Sequence, residues 1–446
     1  MGERERELRP WLTPTEARRV EGLVRLFETM PPEQVAEQVA ASARRSDVRY
    51  DDESIVLYAG TNVMDPRARA VLGGSLASRP SLGHPGAKYE TGLEEAEAIE
   101  MACLALARRV FAAPYIEYRV ASGSLANLYA FMALAKPGDT LLALPTSAAG
   151  HATHREFGAA GLYGLRIVDI PWNDERMEVD VDALSVVAHR ERPRIILLGA
   201  SLALFPFPVR EARAIADEVG ATLMYDAAHV SALITTQGRA LFQSPLDEGA
   251  QVVTFSTYKS LGGPPGGMLL ANDAELAERI ERIAYPGLTA NFDDARVAAL
   301  AISLAGFCRF GADYVAAMVR NGSELADALA EHGLPVVAAE RGYTATHHVA
   351  LDARPFGGGD HAARRLARCA IHSSGIGLPG KPVPGDYNGL RFGTQEVTRW
   401  GMGPNEMRLI AALVADRLLD RRPVEAIWRD VRTLKRGFPR LRFALP

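Results

Sequence analysis

The sequence predicts an α/β protein built on a mainly parallel β-sheet that is covered by helices. From about Ile55 to Ala271, short apolar runs alternate with stretches of helical periodicity, which is typical of repeated strand-helix-strand units. Several apolar runs are too continuously hydrophobic for half-exposed strands and indicate strands buried on both faces. The chain has 446 residues, 48% of them hydrophobic, so it can bury a large core.

Individual elements are predicted from periodicity and turn residues. Helical periodicity predicts helices over Glu94–Phe111 and Val209–Gly220, and the second ends at a glycine that suits a helix C-terminus. Strands are predicted where apolar runs are short and bounded by turn residues. The predicted strands are Thr140–Leu144, Arg194–Ala200, Ala221–Tyr225, Gln251–Phe255 and Gly267–Ala271.

The chain is predicted to divide into three parts. Residues 1–47 predict an amphipathic helical arm, with one helix from near Thr13 and a second after Pro31. Residues 48–305 form the predicted large α/β domain, and residues 306–446 form a smaller C-terminal α+β domain. The elements predicted for the smaller domain are a long helix beyond about Ala305, strands at Val336–Ala339 and His347–Leu351, and a final pair of helices.

Composition excludes several classes of partner and site. The net charge is −4, with 50 basic and 54 acidic residues and no dense basic block, so neither nucleic acid nor a membrane surface is an expected partner. No run approaches the roughly 20 apolar residues of a membrane-spanning helix, and the N-terminus is charged, so we expect a cytoplasmic protein. Scattered cysteines predict neither a disulfide framework nor a metal pair; they are Cys103, Cys308 and Cys369.

Asp226 and Lys259 each follow a predicted strand, and Lys259 comes 33 residues after Asp226, the length of one strand-helix-strand step. Taken singly, each residue is more often a surface charge at a strand end. Because the carboxyl ends of parallel strands meet at one edge of a sheet, the two side chains are expected to face one ligand. Pyridoxal phosphate requires such a pair, an amine for its Schiff base and an acid that keeps its ring nitrogen protonated.

Two further segments fit a phosphorylated, aromatic cofactor. The residues Ser122, Gly123 and Ser124 precede a helical pattern, so backbone N–H groups and a helix N-terminus converge there on an anion; alone, such a segment more often only caps a helix. His151 follows a strand and could stack on the cofactor ring, or make a structural hydrogen bond. His151 and His154, three residues apart, could also ligate a metal. No carboxylate or cysteine lies at a useful spacing from them, so no metal site is predicted.

From about Ile55 to the C-terminus, the chain resembles the serine hydroxymethyltransferase family of fold-type I pyridoxal phosphate enzymes. The resemblance implies a mainly parallel, seven-stranded sheet in the large domain. Eight segments carry it, in the order and spacing of that family, which makes coincidence implausible. They are HPGAKYETG, ASGSLAN, AKPGDTLLALP, HATH, DAAHVSAL, TYKSLGGPPGG, YPG and NGLRFGTQEVTRWG.

The resemblance implies a role for each matching position. Lys259 would form the Schiff base, Asp226 would hold the pyridine nitrogen, and His151 would stack on the ring. Arg391 would pair with the substrate α-carboxylate, for which its planar fork is suited. The resemblance also implies a homodimer with a shared active site, in which the turn near Gly287 is donated to the phosphate. The other cofactor-binding positions are Ser201 and His229 near the phenolic oxygen, and Ser122, Gly123, Ser124 and Ser256 near the phosphate.

Departures from the family pattern concentrate on the side of the site that handles folate. Leu82 stands where the family has a glutamate associated with folate binding and proton handling. Glu90 replaces the second tyrosine of a pair whose first member, Tyr89, is retained and assigned to substrate binding. We therefore hypothesise that Glu90 partly takes over the lost acid/base role, although an exposed loop charge explains it as well. The other departures are Gly60-Thr61-Asn62 for Ser-Glu-Asn, Tyr258 for histidine, Pro265 for arginine, and Leu288–Asn291 within a glycine-rich loop.

The sequence therefore predicts a pyridoxal phosphate enzyme that cleaves or forms the Cα–Cβ bond of a β-hydroxy amino acid such as serine, threonine or α-methylserine, with glycine as partner. It leaves open whether tetrahydrofolate takes part. A folate-independent aldolase or transaldolase fits the missing glutamate better, whereas family membership favours a glycine or serine substrate. Arg391 also allows a racemase, decarboxylase or aminotransferase. A non-catalytic partner protein that binds the cofactor is the alternative outside enzymes, against which Lys259 and Asp226 argue.

Overall fold

A computed structural model describes residue 9 and residues 11–446. By its contacts the chain divides into two units, one that extends to Ser54 and one that comprises Ile55–Pro446. The start of the predicted arm, residues 1–8 and 10, lies outside the described residues. The predicted boundary between large and small domains near residue 305 stays a prediction.

The first unit contains the two helices that the sequence predicts for the arm, α1 (Pro14–Glu28) and α2 (Pro32–Asp47). Each begins with proline, whose fixed φ suits the first helical turn. Thr13 caps α1, because its side chain accepts the Glu16 N–H while the Glu16 carboxylate accepts the Thr13 N–H at 2.9 Å. Neither helix buries a residue.

Among the described residues, the second unit contains the strands and the remaining α-helices. The strands are β1 (Ile55–Val56), β2 (Gly83–His84), β3 (Ala87–Lys88), β4 (Tyr115–Val120), β5 (Thr140–Ala143), β6 (Arg166–Asp169), β7 (Trp172–Asn173), β8 (Glu178–Val179), β9 (Ile195–Leu198), β10 (Thr222–Asp226), β11 (Val252–Ser256), β12 (Gly267–Ala271), β13 (His348–Asp352), β14 (Ile371–His372), β15 (Ser374–Ile376) and β16 (Gly389–Gly393). The helices are α3 (Pro66–Val71), α4 (Glu94–Phe111), α5 (Gly123–Leu134), α6 (Ala159–Leu162), α7 (Val181–Glu191), α8 (Val209–Val219), α9 (Ala274–Arg282), α10 (Asp294–Glu331), α11 (Gly359–Ala367), α12 (Gln395–Arg399), α13 (Pro404–Leu418) and α14 (Val424–Arg436).

The main sheet has seven strands in the order β4-β12-β11-β10-β9-β5-β6. Strands β11, β10, β9, β5 and β6 pair in parallel, and β12 runs antiparallel to both of its neighbours. The predicted mainly parallel, seven-stranded sheet is confirmed. Its parallel strands end at one edge, where Asp226 lies directly after the apolar part of β10.

Both faces of this sheet are buried. Within β5 and the residue after it, Leu142 and Leu144 belong to one hydrophobic cluster, whereas Leu141 and Ala143 belong to another. Successive side chains of a strand point to opposite faces, so a strand covered by helices on both sides must be apolar throughout. This explains the continuous apolar runs in the sequence.

The C-terminal region forms a separate hydrophobic cluster around the antiparallel sheet β13-β16-β15 and helices α11, α13 and α14. Ile55 and Leu57 belong to the same cluster, because β1 pairs in parallel with β14. The 38-residue helix α10 is long and apolar enough to cross a membrane by composition, but 67% of its apolar window is buried within the protein. Such burial is typical of a core helix.

Two predictions of local structure are wrong. No strand forms over Val336–Ala339: Val336 makes a single bridge to Leu351, and Ala338 adopts φ 63°, which breaks the extended backbone. The long helix begins at Asp294, well before Ala305, with Asp293 capping it through the Arg296 N–H. The helices Glu94–Phe111 and Val209–Val219 agree with prediction, and Gly220 caps the second with φ 71°.

Candidate active site

The Asp226 carboxylate accepts hydrogen bonds on both oxygens. Its Oδ1 accepts the Ala228 N–H at 2.8 Å, and its Oδ2 accepts the Asn127 amide at 2.7 Å and His154 Nε2 at 2.8 Å. Burial by itself raises the pKa of Asp226, but the hydrogen bond and electrostatic interaction with His154, reinforced by the Asn127 hydrogen bond, hold this pKa well below its usual range. Asp226 is therefore an ionised, rigidly held carboxylate, as an acid that keeps a pyridine nitrogen protonated must be.

The residues that hold Asp226 were not predicted as site residues. Asn127 is itself fixed, because its Oδ1 accepts the Thr254 hydroxyl at 2.6 Å and its Nδ2 donates to the Thr153 hydroxyl at 2.9 Å. His154 appeared in the sequence only as a candidate metal ligand; in the structure it is buried against Asp226. Among the described residues, no group of three histidine, cysteine or acidic side chains is placed to hold a metal ion.

Lys259 lies just beyond β11, with Nζ 3.1 Å from His229 Nε2. Burial lowers the pKa of Lys259 to about 8, an effect that Asp226 partly opposes and Arg391 reinforces. Burial, together with the charge of Lys259, also keeps the pKa of His229 well below its usual range. A neutral histidine beside a lysine with a lowered pKa leaves the amine available as a nucleophile near neutral pH.

His151 and His154 lie side by side, with ring centroids 5.8 Å apart. Burial, reinforced by the neighbouring His154, lowers the pKa of His151 to about 4. Its Nδ1 lies 2.7 Å from the Thr153 hydroxyl. The His151 ring is therefore uncharged and oriented, which suits stacking on an aromatic ring.

The segment Ser122–Ser124 forms the N-terminus of α5, as predicted, and packs tightly against β11 and β12. A Cβ at Gly123 would lie 2.2 Å from the Ser256 hydroxyl, so only glycine fits there. The Ser122 hydroxyl accepts the Leu125 N–H at 3.2 Å and caps the helix, whereas Ser124 is exposed. The buried Ser256 and the free N–H groups at this helix end can receive a phosphate.

Arg391 lies buried in the middle of β16. One of its terminal nitrogens donates to the Ser201 carbonyl and the other to the Ser374 hydroxyl at 3.1 Å, while its Nε has no partner. Burial lowers the pKa of Arg391 to about 10, which still leaves it charged at neutral pH. In the part of the chain that the structure describes, no carboxylate pairs with this cation. A substrate carboxylate would supply the missing partner.

The remaining predicted site residues are Tyr89, Glu90 and Gly287. They lie at the hairpin β2–β3 and in the Tyr-Pro-Gly segment. The Glu90 carboxylate accepts the Leu82 N–H at 3.3 Å, and Tyr89 is 82% exposed. The segment containing Gly287 meets the hairpin where the rings of His84 and Tyr285 lie 5.0 Å apart. No hydrogen bond or ion pair of the described chain joins Tyr89, Glu90 or Gly287 to the residues around Lys259.

The residues around Lys259 fit pyridoxal phosphate. An ionised carboxylate, an amine with a lowered pKa and a glycine-lined helix N-terminus meet at the carboxyl edge of the sheet. Arg391 Nε and His229 Nδ1 are buried polar atoms without hydrogen-bond partners among the residues that the structure describes, as expected where a polar ligand binds. Ser201, buried next to Arg391, lies in the same region.

A mainly parallel seven-stranded sheet with an acid and a lysine at its strand ends fits the fold-type I class of pyridoxal phosphate enzymes. The sequence pattern of the family described as serine hydroxymethyltransferase matches residues 33–414. The chain belongs to the serine hydroxymethyltransferase family, as its eight segments predicted.

Curated relatives match the chain over most of its length. It is 44% identical to an alpha-methylserine aldolase of Ralstonia sp over 435 residues, which cover 98% of this chain and 99% of that protein. It is 50% identical to an alpha-methylserine aldolase of Variovorax paradoxus over 366 residues, 82% of each chain. With the serine hydroxymethyltransferase of Methanopyrus kandleri it shares 40% identity over 389 residues, 87% of this chain and 90% of that protein.

Family membership confirms the predicted cofactor and class of enzyme. The protein is a pyridoxal phosphate-dependent enzyme of transferase or lyase type that acts on an amino acid. Its reaction makes or breaks the Cα–Cβ bond of a β-hydroxy amino acid. The individual roles of the site residues stay predictions.

Proposed function

We propose that this protein is a folate-independent aldolase that cleaves α-methylserine to alanine and formaldehyde. The Cα–Cβ bond breaks, the β-hydroxyl loses its proton as the aldehyde forms, and Cα receives a proton. No co-substrate is needed to balance this reaction. Released formaldehyde, rather than a one-carbon unit transferred to folate, is the second product.

Similarity to the two kinds of relative supports this proposal. The alpha-methylserine aldolases are 44% to 50% identical to the chain, whereas the serine hydroxymethyltransferases compared with it are 38% to 40% identical. The Ralstonia protein matches along almost its whole length. The name of those relatives is therefore the better guide to substrate.

The observation that supports folate independence is the leucine at position 82, directly before strand β2 of the hairpin. Leucine can neither bind a folate ring through hydrogen bonds nor move a proton, so the function of the family's glutamate is absent at this position. Glu90, just beyond the hairpin, places a carboxylate next to it, because this carboxylate accepts the Leu82 N–H. We infer that Glu90 accepts the proton of the substrate hydroxyl.

The remaining roles follow from the site's charges. Bound pyridoxal phosphate withdraws electrons from the substrate Cα and so weakens its bonds. Arg391 holds the α-carboxylate and thereby selects the bond to Cα that breaks. Asp226 holds the proton on the ring nitrogen, and Lys259 anchors the cofactor and exchanges protons with its pKa near 8.

Formaldehyde release tests the proposed reaction directly. The purified protein with pyridoxal phosphate should release formaldehyde and alanine in equal amounts from α-methylserine without tetrahydrofolate. Serine and threonine serve as comparison substrates. A strict requirement for tetrahydrofolate, or turnover of serine with none of α-methylserine, would overturn the proposal.

Changing Glu90 to glutamine should lower turnover about 10²- to 10⁴-fold, the usual contribution of general acid–base catalysis. The visible absorbance of bound cofactor should stay unchanged, because Glu90 forms no hydrogen bond or ion pair with Lys259 or Asp226 within the described chain. Glu97→Gln is the matched control, since the Glu97 carboxylate also accepts a hydrogen bond from the hairpin, from Gly86 N–H at 3.0 Å. Unimpaired turnover of Glu90→Gln would exclude the acid/base role.

We further propose that the enzyme is a cytoplasmic homodimer with a shared active site. The exposure of Tyr89, and the lack of any hydrogen bond or ion pair between Glu90 and Lys259 within the described chain, support a contribution of the hairpin to a second subunit's site. Mixing the inactive Lys259→Ala and Glu90→Gln variants should then restore about one quarter of wild-type activity. Random pairing makes about half of all dimers mixed, and each mixed dimer has one intact site out of two. If each site uses a single chain, mixing restores nothing.

A further inference from the structure

Tyr58 lies near the guanidinium group of Arg391, which has no carboxylate partner among the described residues. The Tyr58 ring centroid is 6.0 Å from Arg391 Cζ, at the limit of cation–π attraction. Its side chain is 36% exposed, whereas Arg391 is buried. The phenol is therefore partly open to solvent while its ring lies near a buried cation.

Gly60 leaves the space that the phenol fills. A Cβ built at Gly60 would lie 2.7 Å from the Tyr58 hydroxyl oxygen and 2.7 Å from the ring carbon that carries it. Such distances are far below a normal van der Waals contact. A serine at position 60, the residue of the Ser-Glu-Asn pattern in the family, is incompatible with Tyr58 in this position.

The backbone around Tyr58 is joined to the strand that carries Arg391. Gln395, which follows β16, donates its side-chain amide to the Tyr58 carbonyl at 2.9 Å and to the Thr61 carbonyl at 2.7 Å. The Gly393 N–H donates to the Leu57 carbonyl at 2.8 Å. These bonds fix the distance between residue 58 and Arg391, so the contact does not depend on a free loop.

We propose that the Tyr58 hydroxyl and Arg391 together bind the α-carboxylate of the substrate, with Gly60 providing the room for the phenol. The cation has a free Nε and no carboxylate partner among the described residues, and the phenol adds a neutral donor next to it. This proposal rests on the function proposed above only in requiring an amino-acid substrate.

Binding of alanine and of alaninamide tests this role without any turnover. The two ligands differ only in the carboxylate, and their binding is followed through the absorbance change of the bound cofactor. Tyr58→Phe keeps the ring and removes the hydroxyl, so it should weaken alanine binding about 10- to 100-fold, as expected for a hydrogen bond to a charged group. Binding of alaninamide should change less than about twofold.

Two further variants complete the experiment. Tyr115→Phe is the control, because Tyr115 is 39% exposed and lies on β4, an edge strand of the main sheet. Gly60→Ser should displace the phenol and weaken alanine binding as Tyr58→Phe does, with no further loss when the two changes are combined. Equal effects of Tyr58→Phe on both ligands, or wild-type alanine binding by Gly60→Ser, would overturn the proposal. A failure of α-methylserine cleavage would leave these binding results unaffected.

Discussion

Replacing Lys259 with alanine is expected to abolish both turnover and the visible absorbance of bound cofactor. The Lys259 amine is buried, lies 3.1 Å from His229 Nε2, and has its pKa lowered to about 8 by that burial. These conditions favour the neutral amine that a covalent link to an aldehyde needs. Alanine offers no nucleophile, so formaldehyde release should fall about 10³-fold or more. The measurements are an absorbance spectrum after incubation with pyridoxal phosphate and an aldehyde assay.

The control for this experiment is Lys136→Ala, which removes an exposed lysine just before β5 and should change neither measurement. Lys259→Arg keeps a positive charge in the pocket and should fail in the same way as alanine, because the guanidinium group stays protonated. A Lys259→Ala protein with the wild-type yellow colour would overturn the assignment of Lys259 as the anchoring residue.

Replacing Asp226 with asparagine is expected to lower turnover about 10²- to 10⁴-fold while leaving the fold intact. Asparagine has nearly the same shape but no charge, so it no longer favours a proton on the pyridine nitrogen. The hydrogen bond that His154 donates to Oδ2 at 2.8 Å also loses its charged acceptor. Steady-state rates and the affinity for pyridoxal phosphate measure the two consequences, and both should fall.

Asp169→Asn is the matched control for this change. Asp169 ends β6 in the same sheet, but its side chain is 56% exposed and pairs with Arg155 at 2.7 Å. Its loss should alter neither rate nor cofactor affinity, because exposed ion pairs contribute little. Turnover of Asp226→Asn within a fewfold of wild type would mean that the carboxylate does not sustain the ring's protonation.

Much of the sheet was predictable because its strands are buried on both faces. Runs such as that of β12, Gly267–Ala271, are continuously apolar, and their short length between turn residues favours a covered strand over a buried helix. Strand β4 was missed, because Glu117 and Arg119 interrupt its apolar pattern. These two side chains pair with each other at 2.6 Å, so their charges are satisfied within an edge strand.

The pairing of residues across the site was less predictable. Asp226 and Lys259 could be inferred because each lies at or just beyond the end of a buried strand. Asn127 and His154, which hold Asp226, lie 99 and 72 residues from it in sequence. Neither residue is unusual in its local context, so only the family's segments hinted at them.

The sequence by itself determined the buried strands and the two charges at their ends, because apolar periodicity and the residues that follow a strand are local properties. The tertiary structure decided the environment of those charges: the depressed pKa of Lys259 depends on burial, and the contact of Tyr58 with Arg391 depends on Gln395, 337 residues from Tyr58. Burial and long-range hydrogen bonds arise from packing between distant segments, which no local pattern encodes.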